Sequence, residues 1–204
     1  MHPYSIDSGE RKKIYGTLGI ISVLVSWGIV HYLPLDAIVP WFISAPTAPF
    51  AVYLLLYEYF NRWGWKKNLL RTLTQTKVPN IEGEWSGHIT SSYDAHESKN
   101  EITLKIKQNW TRIEIKMETE ESTSYSQIAS ILTDVSQDTF LNYYYQNKPE
   151  PDASPDMGKH EGTAMLTYKN GNKLKLEGYY FTGRDRETYG KVYLEKEIEQ
   201  SYSS

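Results

Sequence analysis

Two long apolar stretches constrain this chain more than anything else in it. Residues 14–33 and 38–60 are each close to the ~20 apolar residues that carry a helix across a ~30 Å hydrocarbon core, and only Pro34, Leu35, Asp36 and Ala37 separate them. So short a connection predicts a tight transmembrane helical hairpin. After Pro79 the sequence changes character and reads as a soluble all-β domain, so a β-domain is expected at one face of a membrane. The mean hydropathy of -0.55 describes neither half, because the polar C-terminal part dilutes the two spans. A secretory signal peptide over residues 1–30 is the competing reading. The apolar run is long for such a segment and a second span follows at once, which favours an anchor.

Charge gives the hairpin a direction. The net charge is only -3, but Arg11, Lys12 and Lys13 precede the first span and Arg62, Lys66, Lys67 and Arg71 follow the second. The intervening loop carries Asp36 and no Lys or Arg. Positive residues stay on the cytoplasmic side, which predicts both termini and the β-domain in the cytoplasm and the hairpin tip outside. Trp27, His31, Tyr32 and Trp41 near one end, with Tyr57, Tyr59, Trp63 and Trp65 near the other, form two interfacial belts. Pro40, Pro46 and Pro49 predict a kink in the second span. Small residues allow close helix approach, and Ser22, Ser26, Ser44, Ala45 and Ala48 supply them. Packing inside one hairpin and self-association between subunits are both open readings of that set. The expected organisation is a leader at 1–13, the hairpin at 14–60, a basic linker at 61–79 that prolongs the second helix, a barrel at 80–197 and a polar tail at 198–204.

Beyond Pro79 the hydrophobic period is two. Ile81, Gly83, Trp85, Gly87 and Ile89 alternate with polar residues, as do Ile102, Leu104 and Ile106, then Ile113, Ile115 and Met117. Further alternating runs centre on Tyr143, Leu166, Leu176 and Val192. Asn170-Gly171 predicts a two-residue hairpin. About eight short antiparallel strands joined by tight turns predict an up-and-down β-barrel, with a two-sheet sandwich as the alternative. The polar segment 148–159 is the one long loop and is read as a lid over one barrel mouth.

Motifs for catalysis are missing. There is no cysteine, no glycine-rich phosphate loop, no GxSxG and no HExxH. His2, His31, His88, His96 and His160 have no metal-ligand spacing, and Asp152 and Asp156 sit in a Pro-rich loop without a partner base. The sequon Asn109-Trp110-Thr111 matters only in a secretory lumen, which the expected orientation excludes. The net-acidic β-domain argues against DNA or RNA as a partner. The chain is read as a non-enzyme with no metal and no cofactor.

Tyrosine is the unusual residue, with 17 in the chain. Strand alternation turns Tyr143, Tyr145 and Tyr180 inward, with Trp85 on the inward phase of the first strand. Ser124, Ser126, Asn147, His160, Thr163, Arg184 and Arg186 fall near strand ends, where a barrel mouth would lie. Rings with polar tips suit a flat, polar ligand, although aromatic residues are favoured in strands for packing alone. A lipocalin-like carrier would need an oilier lining, and a passive scaffold would need none of these residues.

Six segments carry a family resemblance: IEGEWSG (81–87), IKQNWTRIEI (106–115), STSYS (122–126), LNYYYQNKP (141–149), MGKHEGTAML (157–166) and LEGYYFTGRDRETYG (176–190). In this order behind a membrane hairpin, they resemble the two-transmembrane β-barrel effector family of CBASS, the bacterial cyclic-oligonucleotide-based antiphage signalling systems. The resemblance implies a receptor in the inner membrane. A cyclic dinucleotide made by a partner nucleotidyltransferase binds the barrel, copies assemble into a homo-oligomer, and the hairpins disrupt the lipid bilayer. Two bases and two phosphates call for stacking rings and a local basic spot, for which Arg112, Arg184 and Arg186 are the candidates. The expected ligand-binding set is Trp85, Arg112, Ser124, Tyr143, Tyr145, Asn147, His160, Thr163, Tyr180 and Arg184.

Overall fold

The computed structural model describes the backbone of residues 1–32, 41–154, 157–184 and 186–196, with side chains except at 30 and 41–46. The expected hairpin tip at 34–37 and the tail at 198–204 lie outside the described residues. Contacts divide the chain into Ser8–Lys77 and a unit made of Met1–Asp7 with Val78–Ser204.

The larger unit is a closed barrel of nine strands. Eight form the expected meander: β2 (Gly83–Ser91), β3 (Asn100–Gln108), β4 (Arg112–Glu118), β5 (Ser122–Leu132), β6 (Thr139–Pro149), β7 (His160–Asn170), β8 (Leu174–Thr182) and β9 (Tyr189–Lys196). Each pairs antiparallel with the next, and β9 returns to β2 along Ser86↔Glu195 to Ser91↔Gly190. The β7–β8 hairpin turns over three residues rather than two, because Asn170 itself pairs with Leu174.

The ninth strand, β1 (His2–Ile6), lies where the sequence suggested a leader. β4 and β5 pair only over residues 116–118 and 123–125. Below that they part, at a register break in β5 between Ser126 and Ile128. β1 fills the gap, antiparallel to β4 through His2↔Ile113 and parallel to β5 from Tyr4↔Ala129 to Ile6↔Ile131. At the parting point Ser126 Oγ accepts from the Ile115 N–H at 3.0 Å and bonds His2 Nε2 at 2.8 Å. Backbone groups exposed by the divergence are thereby satisfied, as buried sheet groups must be.

Asp7 ends β1 by accepting from the N–H groups of Thr133 and Asp134, both at 2.8 Å. Burial pushes its carboxyl up, but these hydrogen bonds outweigh it and hold the group below its ordinary 3.8. A depressed folded-state value stabilises the fold above 3.8 and loses that contribution as pH falls through the folded value. Barrel stability is therefore expected to drop in this acid range, and Asp7→Asn to lack that component. Acid titrations of the two proteins, followed by near-UV circular dichroism, check this.

The second unit holds α1 (Glu10–Tyr32), α2 (Trp41–Arg62) and α3 (Asn68–Thr74). Buried residues on α1 recur every fourth position, at Ile14, Leu18, Ser22 and Ser26, the spacing of one helix face. The Ser22 and Ser26 hydroxyls donate back to Gly19 O and Val23 O at 2.7 and 3.0 Å, so neither is left unsatisfied. Large apolar side chains cover the remaining surface, including Ile20, Leu24, Trp27, Phe50 and Leu55. Among the described residues no helix is by itself long and apolar enough to cross a membrane. α1 opens on Glu10, Arg11, Lys12 and Lys13, and positions 30 and 33–46 are wholly or partly outside the description.

The basic linker is not the straight continuation of α2 expected from sequence. A 3-10 turn at Gly64–Lys66 interrupts it, with Trp65 fully buried. Gly64 sits in a tight spot there, since a Cβ would meet the Tyr59, Phe60 and Leu70 side chains at 3.2–3.3 Å. Arg71 then fixes the end of the unit, donating to Trp65 O at 3.2 Å and Thr76 O at 3.3 Å.

Candidate ligand site at the open mouth of the barrel

The barrel interior changes composition from end to end, and neighbouring strands change together. Inward positions read Leu141, Tyr143, Tyr145, Asn147 along β6; Leu166, Ala164, Gly162, His160 along β7; and Leu176, Gly178, Tyr180, Thr182 along β8. On β5 they run from Ile131 through Ala129 to Ser124 and Ser122. The apolar end is packed solid by Trp85, Leu104, Trp110, Ile113, Leu166 and Leu176, all fully buried. The opposite end opens into a cavity of about 840 Å³, within the ~300–1,000 Å³ of small-molecule sites.

Three inward tyrosines line the cavity. Tyr145 stands across from Gly162 and Tyr180 across from Gly190. A Cβ on Gly162 would lie 2.5 Å from the Tyr145 hydroxyl oxygen, and one on Gly190 would lie 2.6 Å from the Tyr180 ring. The glycines thus make floor space for the rings. Tyr143 and Tyr145 are 4% and 3% exposed, with ring centroids 6.1 Å apart. Burial raises both phenols, so they remain protonated donors at neutral pH. Neither hydroxyl has a hydrogen-bond partner among the described residues. Both rings line the cavity, and a protonated phenol can donate, so the cavity suits an occupant that offers acceptors.

A polar row completes one wall. Ser124, Asn147 and His160 are consecutive cross-strand partners on β5, β6 and β7. Ser124 Oγ donates to Asn147 Oδ1 at 2.8 Å, and His160 Nδ1 lies 3.0 Å from Gly158 O. Burial, with the Arg186 charge nearby, lowers the His160 pKa and favours neutral imidazole. Arg186 is half-buried, its guanidinium 5.9 Å from the Tyr93 ring centroid and its Nη1 3.1 Å from Met157 Sδ. It has no carboxylate partner among the described residues. Asp94, Glu101, Glu120, Glu121 and Lys99 also line the mouth, so its charge is mixed and Arg186 is its guanidinium. The β2–β3 turn beside Tyr93 holds Ala95 and His96 at φ 58° and 66°, a left-handed pair of non-glycine residues of the kind found near functional sites.

Six of the ten expected residues meet in this cavity: Ser124, Tyr143, Tyr145, Asn147, His160 and Tyr180. Four lie elsewhere. Trp85 is in the plug, with its Nε1 donating to Ile81 O at 3.0 Å. Arg112 is at the plugged end, donating to Met1 O at 3.0 Å. Thr163 is on the outer face, since β7 turns its even neighbours inward, and Arg184 is exposed in the β8–β9 turn. Tyr93, Met157, Thr182, Thr188 and Arg186 line the cavity without belonging to the expected set. Thr182 shares the parity of Tyr180 and was readable; Arg186 depends on how an irregular turn folds. Of the small residues, Ser22 and Ser26 are buried within one chain and Ala48 is half-buried; the side chains of Ser44 and Ala45 lie outside the described residues.

A closed antiparallel barrel with one packed end and one aromatic, polar mouth, continuous in sequence with a helical pair, defines a barrel receptor for a small polar ligand. Comparison with known proteins agrees. Residues 76–196 match the family described as Cap15, cyclic dinucleotide receptor domain, and residues 12–66 match Cap15, TM helices. The chain belongs to the Cap15 family. It is 29% identical over 205 residues to CD-NTase-associated protein 15 of Yersinia aleksiciae, covering 94% of this chain and 95% of that one. It is thus a CBASS-associated protein with a cyclic dinucleotide receptor domain and a transmembrane-helix domain.

Proposed function

We propose that this chain is a membrane-disrupting CBASS effector whose barrel mouth binds a cyclic dinucleotide made by a partner nucleotidyltransferase. The observation that carries the reading is the convergence of inward tyrosine rings with a guanidinium lacking a carboxylate partner around one cavity. The rings supply stacking surface for bases, and Arg186 supplies charge-assisted hydrogen bonds to a phosphate. No bond is made or broken, so the protein acts as a switch rather than an enzyme.

Two helices cannot enclose a pathway alone, so damage to the bacterial inner membrane requires assembly of many copies. Ligand drives assembly only by binding the assembled state more tightly than the separate chain. Ser22 and Ser26 are already buried within one chain, which leaves Ser44, Ala45 and Ala48 as the small residues for contacts between subunits. The basic flanks support a topology with both termini and the barrel on the cytoplasmic side, where a messenger is made.

The test uses the full-length chain in dye-loaded liposomes. Cyclic dinucleotide is expected to convert a small species into a large one, with leakage following assembly. Ala48→Leu is expected to abolish leakage while leaving ligand affinity within about twofold. Leakage from a ligand-bound protein that stays monomeric would overturn the mechanism, and a periplasmic location for a reporter fused after Ser204 would overturn the topology.

A further inference from the structure

The outer surface of the barrel is charged on one side and apolar on another. On β3 and β4 the outward residues form ion pairs, Lys105–Glu118 at 2.5 Å and Lys107–Glu114 at 3.2 Å. Toward the plugged end of β7, β8 and β9 they do the same, with Lys169–Glu177 at 2.6 Å and Lys175–Glu195 at 2.8 Å. Between those charges and the mouth, the outward residues include Ile128, Met165, Tyr179, Phe181 and Tyr189, which are 50 to 66% exposed.

Cross-strand pairing makes these five one patch. One row runs Ile128, Tyr144, Thr163, Phe181, Tyr189, and the next runs Asn142, Met165, Tyr179, Lys191. None of the five fills the barrel, since each points outward from a strand whose inward neighbours do that. Single exposed apolar residues are ordinary, but a contiguous group marks a contact surface. Three half-exposed rings with Ile128 and Met165 present roughly 600 Å² of largely apolar surface, not far below the ~800 Å² that each partner gives to a standard interface.

Charge at the edges selects the occupant. Lys191 borders the patch on β9 and Glu161 borders it on β7, where it accepts from the Tyr144 hydroxyl. An anionic bilayer gains no net attraction from one charge of each sign. A second copy presents the same patch with the same two signs, and a surface of that kind can be its own complement across a two-fold axis.

We infer that this outer wall of β5–β9 is the surface by which the barrel of one copy packs on the barrel of another. The inference rests on the assembly proposed above and gives it a second contact. A two-fold contact between helical hairpins closes at two copies, and a contact between barrels lets such pairs join and growth continue. The strands that carry the wall outward carry Tyr145, Ala164 and Tyr180 inward to the cavity, so a bound ligand meets the same sheet from behind.

The chain has no cysteine, so a single introduced thiol reports one position. The experiment places full-length Tyr179→Cys in lipid vesicles with a short thiol-to-thiol cross-linker and adds cyclic di-AMP, cyclic di-GMP, cyclic GMP–AMP or cyclic UMP–AMP in turn. With a ligand that produces the large species, Tyr179→Cys is expected to yield a covalent dimer, absent without ligand, while Lys107→Cys on the ion-paired wall stays uncross-linked. Phe181→Glu is expected to hold the assembly at dimer size with ligand affinity within about twofold, as for a distant independent site. Met165→Glu, read the same way, covers the case in which Phe181→Glu fails to fold. Large species that form without the Tyr179→Cys cross-link, or undiminished in both glutamate variants, would overturn the barrel contact and leave the effector reading standing. Quenching of a dye on Tyr179→Cys by brominated lipid, with no cross-link, would assign the wall to the bilayer and overturn it likewise. No large species from the unmodified protein with any of the four ligands would overturn the assembly itself.

Discussion

Replacing Arg186 with alanine is expected to weaken cyclic dinucleotide binding roughly 10- to 100-fold, the worth of hydrogen bonds to a charged group. Ligand-induced leakage should vanish with it. The effect is large because Arg186 has no substitute. Its partners in the protein are a methionine sulfur and the face of Tyr93, so it is held near the cavity without being neutralised. Asp94, Glu101, Glu120 and Glu121 remain at the mouth, and without the guanidinium Lys99 alone would oppose them. Arg184→Ala, two residues away on an exposed turn, and Arg112→Ala, at the plugged end, are expected to leave affinity within about twofold. Isothermal calorimetry of the three variants decides; a loss in Arg184→Ala with none in Arg186→Ala would move the phosphate site out of the cavity.

Trp85→Ala should act on stability instead, costing about 3–5 kcal/mol of the ~5–15 kcal/mol that holds a typical domain folded. The indole is fully buried, donates to Ile81 O at 3.0 Å, meets the Tyr168 ring edge-on at 6.4 Å and lies under the Lys196 ammonium at 5.9 Å. Its removal leaves a cavity in the plug, far along the barrel from the mouth. Urea unfolding is expected to shift to lower concentration, with an unchanged Kd for the fraction that remains folded. A weaker Kd at unchanged stability would return Trp85 to the ligand site that its strand phase suggested.

Inward phase and depth along a strand are different quantities, and the sequence resolves only the first. Alternation correctly turned Trp85, Tyr143 and Tyr180 to the inside, but it carries no measure of which barrel end each reaches. A change of composition along a strand does carry depth: in β6, Leu141, Tyr143, Tyr145 and Asn147 grade from apolar to polar in the order of the chain. That gradient, repeated in β7 and β8, was the readable signature of a plugged end and an open mouth.

The sequence by itself determined the elements whose cause is local: two apolar stretches, about eight short strands, the inward parity of Tyr143, Tyr145 and Tyr180, and the position of Ser124, Asn147 and His160 near strand ends. Only the tertiary structure decided the rest. His2–Ile6 has no strand pattern of its own and becomes β1 because residues more than a hundred positions away leave an open slot between β4 and β5. Arg186 rather than Arg184 reaches the cavity because an irregular turn, with no period to read, sets where each side chain points. Ser22 and Ser26 carry the same small side chains whatever they face, and only the tertiary structure shows that both are buried in this chain. In each case the deciding free energy comes from partners distant in sequence, which a local pattern does not encode.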